Sequence, residues 1–328
     1  YATVNHTKVS YTLSETVVSS SVTWTWTSGA TDPGSPHVQA LTGTELSSGS
    51  HTDIILTNNP TLVSGAMYTV SFDATDAAGN AATTVSNTNI TYNTQQPVIT
   101  SITSSTTDGS YKAGDLINVT VNFDKSVTLT GGVLEITLET GTTDRVVTIS
   151  TISGSTSASG TYTVQAGDMS PDLTVLSVTL NGGTLRDGSG NDADLTIPSG
   201  QNLGDNKNLV IDTEAPVITS TAPASNATVN HTKVSYTLSE TVASGSVTWT
   251  WTSGATDPGS PHVQSLTGTE LSSGSHSDII LTNNPTLVSG AVYTVSFDAA
   301  DAAGNAATTV ANTNITYNTQ QPVITSIT

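Results

Sequence analysis

The chain has no cysteine, which excludes disulfides, thiolate metal ligands and a cysteine nucleophile. Basic residues are scarce. Seven lysines and arginines stand against 26 aspartates and glutamates, for a formal net charge of -19. Phosphate backbones and anionic membrane surfaces are held by clustered Lys and Arg, so nucleic acid and acidic lipid are poor partners. The same excess of carboxylate attracts cations, either diffusely or at sites. Charged residues make up only 10% of the 328 positions, which is not the profile of a self-repelling disordered chain. Helical runs of Ala, Leu, Glu and Lys are missing. No apolar run approaches the roughly 20 residues of a membrane-spanning helix. What fills the chain is Ser, Thr, Asn, Gly and Val, the residues of strands and turns.

A long internal repeat organises these residues. Residues 1–103 recur at 226–328 with a constant offset of 225 and eight differences, at positions 1, 18, 20, 40, 52, 67, 75 and 86. A different segment of similar size lies between the copies. The order is A–B–A, with a first A module over 1–95 that lacks its first strand, a B module over 96–213 and a second A module over 214–322. Residues 323–328 read as the start of a further B-type module. Modules of this length have the usual size of one β-sandwich.

Within A, "KVSYTLSE" puts Val9, Tyr11 and Leu13 on one face. "VTWTWTSG" puts Val22, Trp24 and Trp26 on one face and Thr23 and Thr25 on the other. "AMYTVSFDA" groups Tyr68, Val70 and Phe72. Period-two runs of this kind are half-buried strands, and "DPGSP", "TNNP" and "SSGSH" are turn chemistry between them. In B, "LINVTVNF" buries Ile117, Val119, Val121 and Phe123. "GGVLEITLE" and "DRVVTIS" form a hairpin pair, and "NKNLVID" closes the module. The expected fold is all-β: a tandem array of three immunoglobulin-like Greek-key β-sandwich domains.

With "YTLSE", "YTVSFDATDAAGN" and the linker "DTEAP" in A, and "DGSYKAGDLINVTVNFDKSV", "RDGSGNDADLT" and "NLVIDTEAP" in B, the chain resembles the immunoglobulin-like tandem repeats of large bacterial surface proteins, calcium-dependent adhesins among them. The resemblance covers nearly the whole chain. It implies an extracellular or cell-surface spacer whose partners are its neighbouring repeats, with any glycan or receptor held by other domains.

The word "DAAGN" occurs at 76–80 and 301–305, and "DGSGN" at 187–191. Asp and Asn around a Gly serve a tight turn, and a turn alone explains them. In an immunoglobulin-like sandwich this turn shares a pole with the end of the second strand and with the incoming linker. That placement makes Asp212, Glu240, Asp301 and Asn305 a candidate oxygen set for calcium, with Asp298 as a weaker member. The first A module offers Glu15, Asp76 and Asn80. Aligning "VNFDKSV" with "YTLSETV" sets Lys125 of B where A has glutamate, and Asn93 stands where the other linker has Asp212. The joint before B is thus expected to hold no ion, with the Lys125 ammonium serving Asp187, or to use other ligands. Asp187, Asn191, Asp192 and Asp194 are the B-module candidates, with Asp108 and Asp115 also available.

The tryptophans read as core residues, and Tyr68 and Tyr293 as corner tyrosines. The six histidines are three positions and their copies, without metal-triad spacing. No nucleophile elbow or persuasive triad order appears, and an enzymatic role is not expected. A spacer of a long adhesin is the leading expectation. A self-assembling subunit of a filament, sheath or surface layer is the alternative, with other copies of the chain as partners, and a glycan-binding module is the third.

Overall fold

The computed structural model describes residues 2–326. Its regular elements are almost all strands, with short turns of helix at Gly43–Leu46, Leu203–Asn206 and Gly268–Leu271. Apolar side chains gather in three clusters, within residues 9–92, 99–211 and 218–317.

The second A module carries a five-stranded sheet and a three-stranded sheet. In the larger, strands Thr228–Val229, Val310–Tyr317, Ala291–Ala300, Ser244–Gly254 and His262–Ser265 lie side by side. In the smaller, Ile218–Ala222 pairs with Val234–Leu238, which pairs with Gly274–Ile279. The entering chain is therefore split. Residues 218–222 run antiparallel in one sheet, and 228–229 then cross to run parallel with the last strand of the other. Between the sheets sit Tyr236, Leu238, Trp249, Tyr293, Val295 and Phe297, each at most 2% exposed. Alternation places them there: Val247 and Trp249 point inward while Thr250, between two tryptophans, faces solvent. The indole N–H of Trp249 donates to Gln264 Oε1 at 3.1 Å, so its polar edge is satisfied inside the core.

The first A module has the same five-stranded sheet, with residues 2–4 parallel to the last strand. Among the described residues its second sheet has two strands, Val9–Leu13 and Gly49–Ile54, without a counterpart of 218–222. Tyr11, Leu13 and Phe72 are half-buried where their copies in the second A module are buried, and with Val85 they line a cleft of about 260 Å³.

In B the long strand Leu116–Thr130 binds Ser155–Thr163, Ile99–Thr103 and Thr184–Arg186. Val133–Leu138 pairs with Arg145–Ile149, the hairpin read from the sequence, and with Val175–Asn181. Leu209–Asp212 closes the module and runs parallel with Gly109–Tyr111.

Each module holds a buried tyrosine–aspartate network, while the buried indole N–H of Trp251 has no partner among the described residues. Tyr68 Oη accepts from Val63 N at 3.0 Å and donates to Asp32 Oδ2 at 2.6 Å, and His37 Nε2 lies 2.7 Å from the same oxygen. Tyr293, Asp257 and His262 repeat this arrangement. In B, Tyr162 donates to Asp168 at 2.6 Å, and the cation beside that carboxylate is Arg145, at 2.8 Å. Each tyrosine ties a strand to the carboxylate of a loop.

Candidate metal centre at the joint between modules

Strand Leu209–Asp212 ends B, and Pro216 is buried as the chain enters the next module. Proline fixes the backbone just after Glu214 and Ala215, which shortens the free part of the linker to a few residues. The turn 301–305 joins the last two strands of the second A module. It closes through Asp301 N to Asn305 O at 3.2 Å and Gly304 N to Asp301 O at 3.3 Å. Gly304 has φ +86°, a conformation that glycine adopts without strain. Glu240 follows the strand Val234–Leu238 by two residues.

These three segments bring Asp212, Glu240 and Asp301 together, each offering an oxygen within 4.8 Å of the others. Asp301 is only 4% exposed, and Asp212 and Glu240 are half-buried. None of the three carboxylates takes part in an ion pair among the described residues. Burial pushes the Glu240 carboxyl up from its ordinary value, and Asp212, Asp301 and Glu214 push it further. Two unit charges about 5 Å apart repel by about 1 kcal/mol in water and about 3 kcal/mol at an effective dielectric constant near 20. Such a group is relieved by a proton or by a cation.

Asn305 has a different part. Its Nδ2 donates to Asp301 Oδ2 at 2.7 Å and across the joint to the Asp212 carbonyl at 2.9 Å. The side chain is a clamp on the linker, and Oδ1 is its remaining ligand atom. Asp298 is not in the group. It lies on the outward side of the strand Ala291–Ala300 and accepts from Thr309 Oγ1. The donor set is all oxygen, three carboxylates and the Asn305 amide oxygen. That suits a hard cation such as calcium, which takes six to eight oxygens, and not zinc, which takes His and Cys.

The joint between the first A module and B is built on the same plan. Asp187 N bonds to Asn191 O at 3.1 Å, and Asn191 Nδ2 donates to the Asn93 carbonyl at 2.9 Å. The acidic chemistry is absent. Lys125 does not go to Asp187, as the sequence reading expected. Its ammonium donates to the linker carbonyls of Gln95 at 2.7 Å and Gln96 at 3.3 Å, because it lies beside the linker. Asp192 is paired with Arg186 at 2.7 Å and Asp108 with Lys207 at 2.9 Å. Asp194 accepts from Thr196 N, and Asp115 from Lys112 N. The alternative ligands are thus spent locally and do not converge. In the first A module Asp76 and Asn80 form the same turn, with Glu15 exposed near it.

Two contacts at the joints had no signal in the sequence. Lys112 of B donates to the Gly304 carbonyl at 2.8 Å, and the Asn5 side chain of the first A module packs against Gly190. Each presses a loop of the preceding module onto the glycine of the following turn. They come from residues more than 180 positions apart, and nothing in the local sequence marks them.

Residues 212–319 match the family model described as the bacterial Ig-like domain. The matched segment starts at Asp212, so it takes in the linker and every member of the carboxylate group. No curated protein matches the chain. Among solved structures, the crystal structure of the chicken CNTN1 FN1-FN3 domains aligns at 10% identity over 96% of this chain and 99% of that one, with a TM-score of 0.27.

Proposed function

We propose that the chain is a spacer segment of a long extracellular bacterial surface protein, of the adhesin-stalk kind, with a joint stiffened by calcium. The observation that carries the reading is the convergence of Asp212, Glu240 and Asp301 from a linker, a strand end and a turn. An ion held there ties the end of B to the pole of the next module. The module type is supported by the match to the bacterial Ig-like domain, a kind of module common in surface proteins. Bound calcium supplies positive charge to the carboxylate group. The chain's own residues do the rest: Asn305 grips the linker, Pro216 shortens it, and Lys112 braces the turn.

Calorimetric titration of the whole chain with calcium tests this, paired with melting in chelator and in calcium. The expected result is binding that thermally stabilises the chain. If the dissociation constant is about 0.1 mM, about 10 mM calcium adds about 2.7 kcal/mol. No heat of binding and no shift between chelator and calcium would remove the calcium claim. A second reading is the assembly of copies into a filament by strand addition at a sheet edge. Sedimentation across a concentration series separates the two: a monomer at all concentrations leaves the spacer reading alone.

A further inference from the structure

The two joints can be matched residue by residue through their hydrogen bonds and strand register. At the second joint Val217 N donates to Ser239 Oγ at 2.8 Å, and Ser239 N to Val217 O at 3.0 Å. At the first joint Val98 N donates to Asp124 Oδ1 at 2.8 Å, and Asp124 N to Val98 O at 3.1 Å. Ile218 pairs with Leu238 as Ile99 pairs with Phe123. Lys125 therefore stands where Glu240 stands, Asn93 where Asp212 stands, and Gln95 and Gln96 where Glu214 and Ala215 stand. The clamp from the turn is also the same, from Asn191 to the Asn93 carbonyl and from Asn305 to the Asp212 carbonyl, both at 2.9 Å.

We propose that Lys125 is a built-in cation that does at the first joint what a divalent ion does at the second, so that the chain alternates a calcium-independent joint with a calcium-dependent one. The proposal rests on the calcium reading for the second joint only; the role of Lys125 stands on its own contacts. The ammonium sits against two carbonyl oxygens of the linker, the kind of oxygens that a hard cation takes. Replacement of Asp212 by Asn93 removes the negative charge that an ion would need there. A covalently held cation costs no binding step and does not respond to ion concentration, whereas the carboxylate group carries its own repulsion until an ion neutralises it. One joint would then be fixed and the next set by the calcium outside the cell.

The test is a distance measurement between spin labels on the whole chain, which has no cysteine to interfere. Thr25→Cys with Thr148→Cys spans the first joint, and Thr148→Cys with Thr250→Cys spans the second; all three positions are exposed. In the wild-type background the first-joint distance distribution is expected to be narrow and the same in chelator and in calcium, while the second narrows only in calcium. Lys125→Gln broadens the first joint in both conditions, and Glu240→Lys narrows the second in chelator. A first joint that tightens with calcium, or one unchanged by Lys125→Gln, overturns the assignment of Lys125. A second joint indifferent to calcium overturns the calcium reading instead, and leaves the first-joint result to decide the role of Lys125.

Discussion

Replacing Glu240 by Gln separates repulsion from ligation at the second joint. In chelator, the wild-type carboxylate lies within 4.8 Å of Asp212 and Asp301 oxygens with no basic partner, and its proton affinity is raised. Each contact costs between about 1 kcal/mol in water and about 3 kcal/mol at an effective dielectric constant near 20, and Glu240 is half-buried. Removing its charge is expected to stabilise the ion-free second A module by about 1–2 kcal/mol, near the lower bound for two such pairs. In calcium the same change removes a ligand. At 100 times its dissociation constant calcium adds about 2.7 kcal/mol to the wild type, and a tenfold weaker site gains only about 1.4 kcal/mol. The variant is therefore more stable than wild type in chelator and about half as responsive to calcium. Hydrogen exchange read by mass reports both numbers, because peptides over 291–305 and 66–80 differ at Val292 against Met67 and Ala300 against Thr75. The first A module serves as the unchanged control. The pH dependence has a definite sign. A carboxyl whose folded pKa is raised contributes stability below its unfolded value and loses it as pH rises through the folded value. In chelator the wild-type joint should thus loosen as pH climbs out of the ordinary glutamate range, and Glu240→Gln should abolish that step. A variant less stable than wild type in chelator would refute the repulsion argument.

Other expectations follow from the buried networks and the clamp. Burial alone would raise the Asp257 carboxyl, but bonds from Tyr293, His262 and Gly259 outweigh it and hold the group below the usual range. Its contribution is present above the unfolded pKa of about 3.9 and lost as pH falls through the lower folded value, so Asp257→Ala should remove an acid transition and cost about 1–3 kcal/mol in urea unfolding. Arg145→Ala leaves Asp168, 1% exposed, without its cation and should destabilise B by about 3–5 kcal/mol, seen as a lower melting temperature for that module. Asn305→Ala removes the bond to the Asp212 carbonyl; it should cost about 1 kcal/mol and broaden the particle in small-angle scattering, with the strands of both modules still protected from exchange.

The strands were readable because their causes are local. Val22, Trp24 and Trp26 alternate with threonines, and a two-residue period admits one pleated answer. The corner role of Tyr68 was legible from its place at the start of a late strand, but its partner was not. Asp32 lies 36 positions earlier in a turn that looks like any other, and only the packed sandwich brings the two to 2.6 Å. The tryptophans divide in the same way. Trp24 is 2% exposed as expected of a core residue, whereas Trp26 is half-buried at the sheet's end and gives its N–H to the Ala30 carbonyl.

The repeat and its offset are properties of the sequence alone, and so is the substitution of lysine for glutamate at one joint. They determined that two kinds of joint exist, because in an A–B–A order one joint sets the end of A against the pole of B and the other sets the end of B against the pole of A. Which groups the side chains at each joint meet was decided only by the tertiary structure. Lys125 was free, on sequence grounds, to meet the Asp187 carboxylate. The folded pole sets its ammonium against the linker carbonyls instead, since a four-carbon stem reaches what lies beside it in space, not what complements it in charge. Asn305 likewise became a clamp on a carbonyl 93 residues away. Chain order lists the groups that can meet, and the way the modules pack selects which ones do.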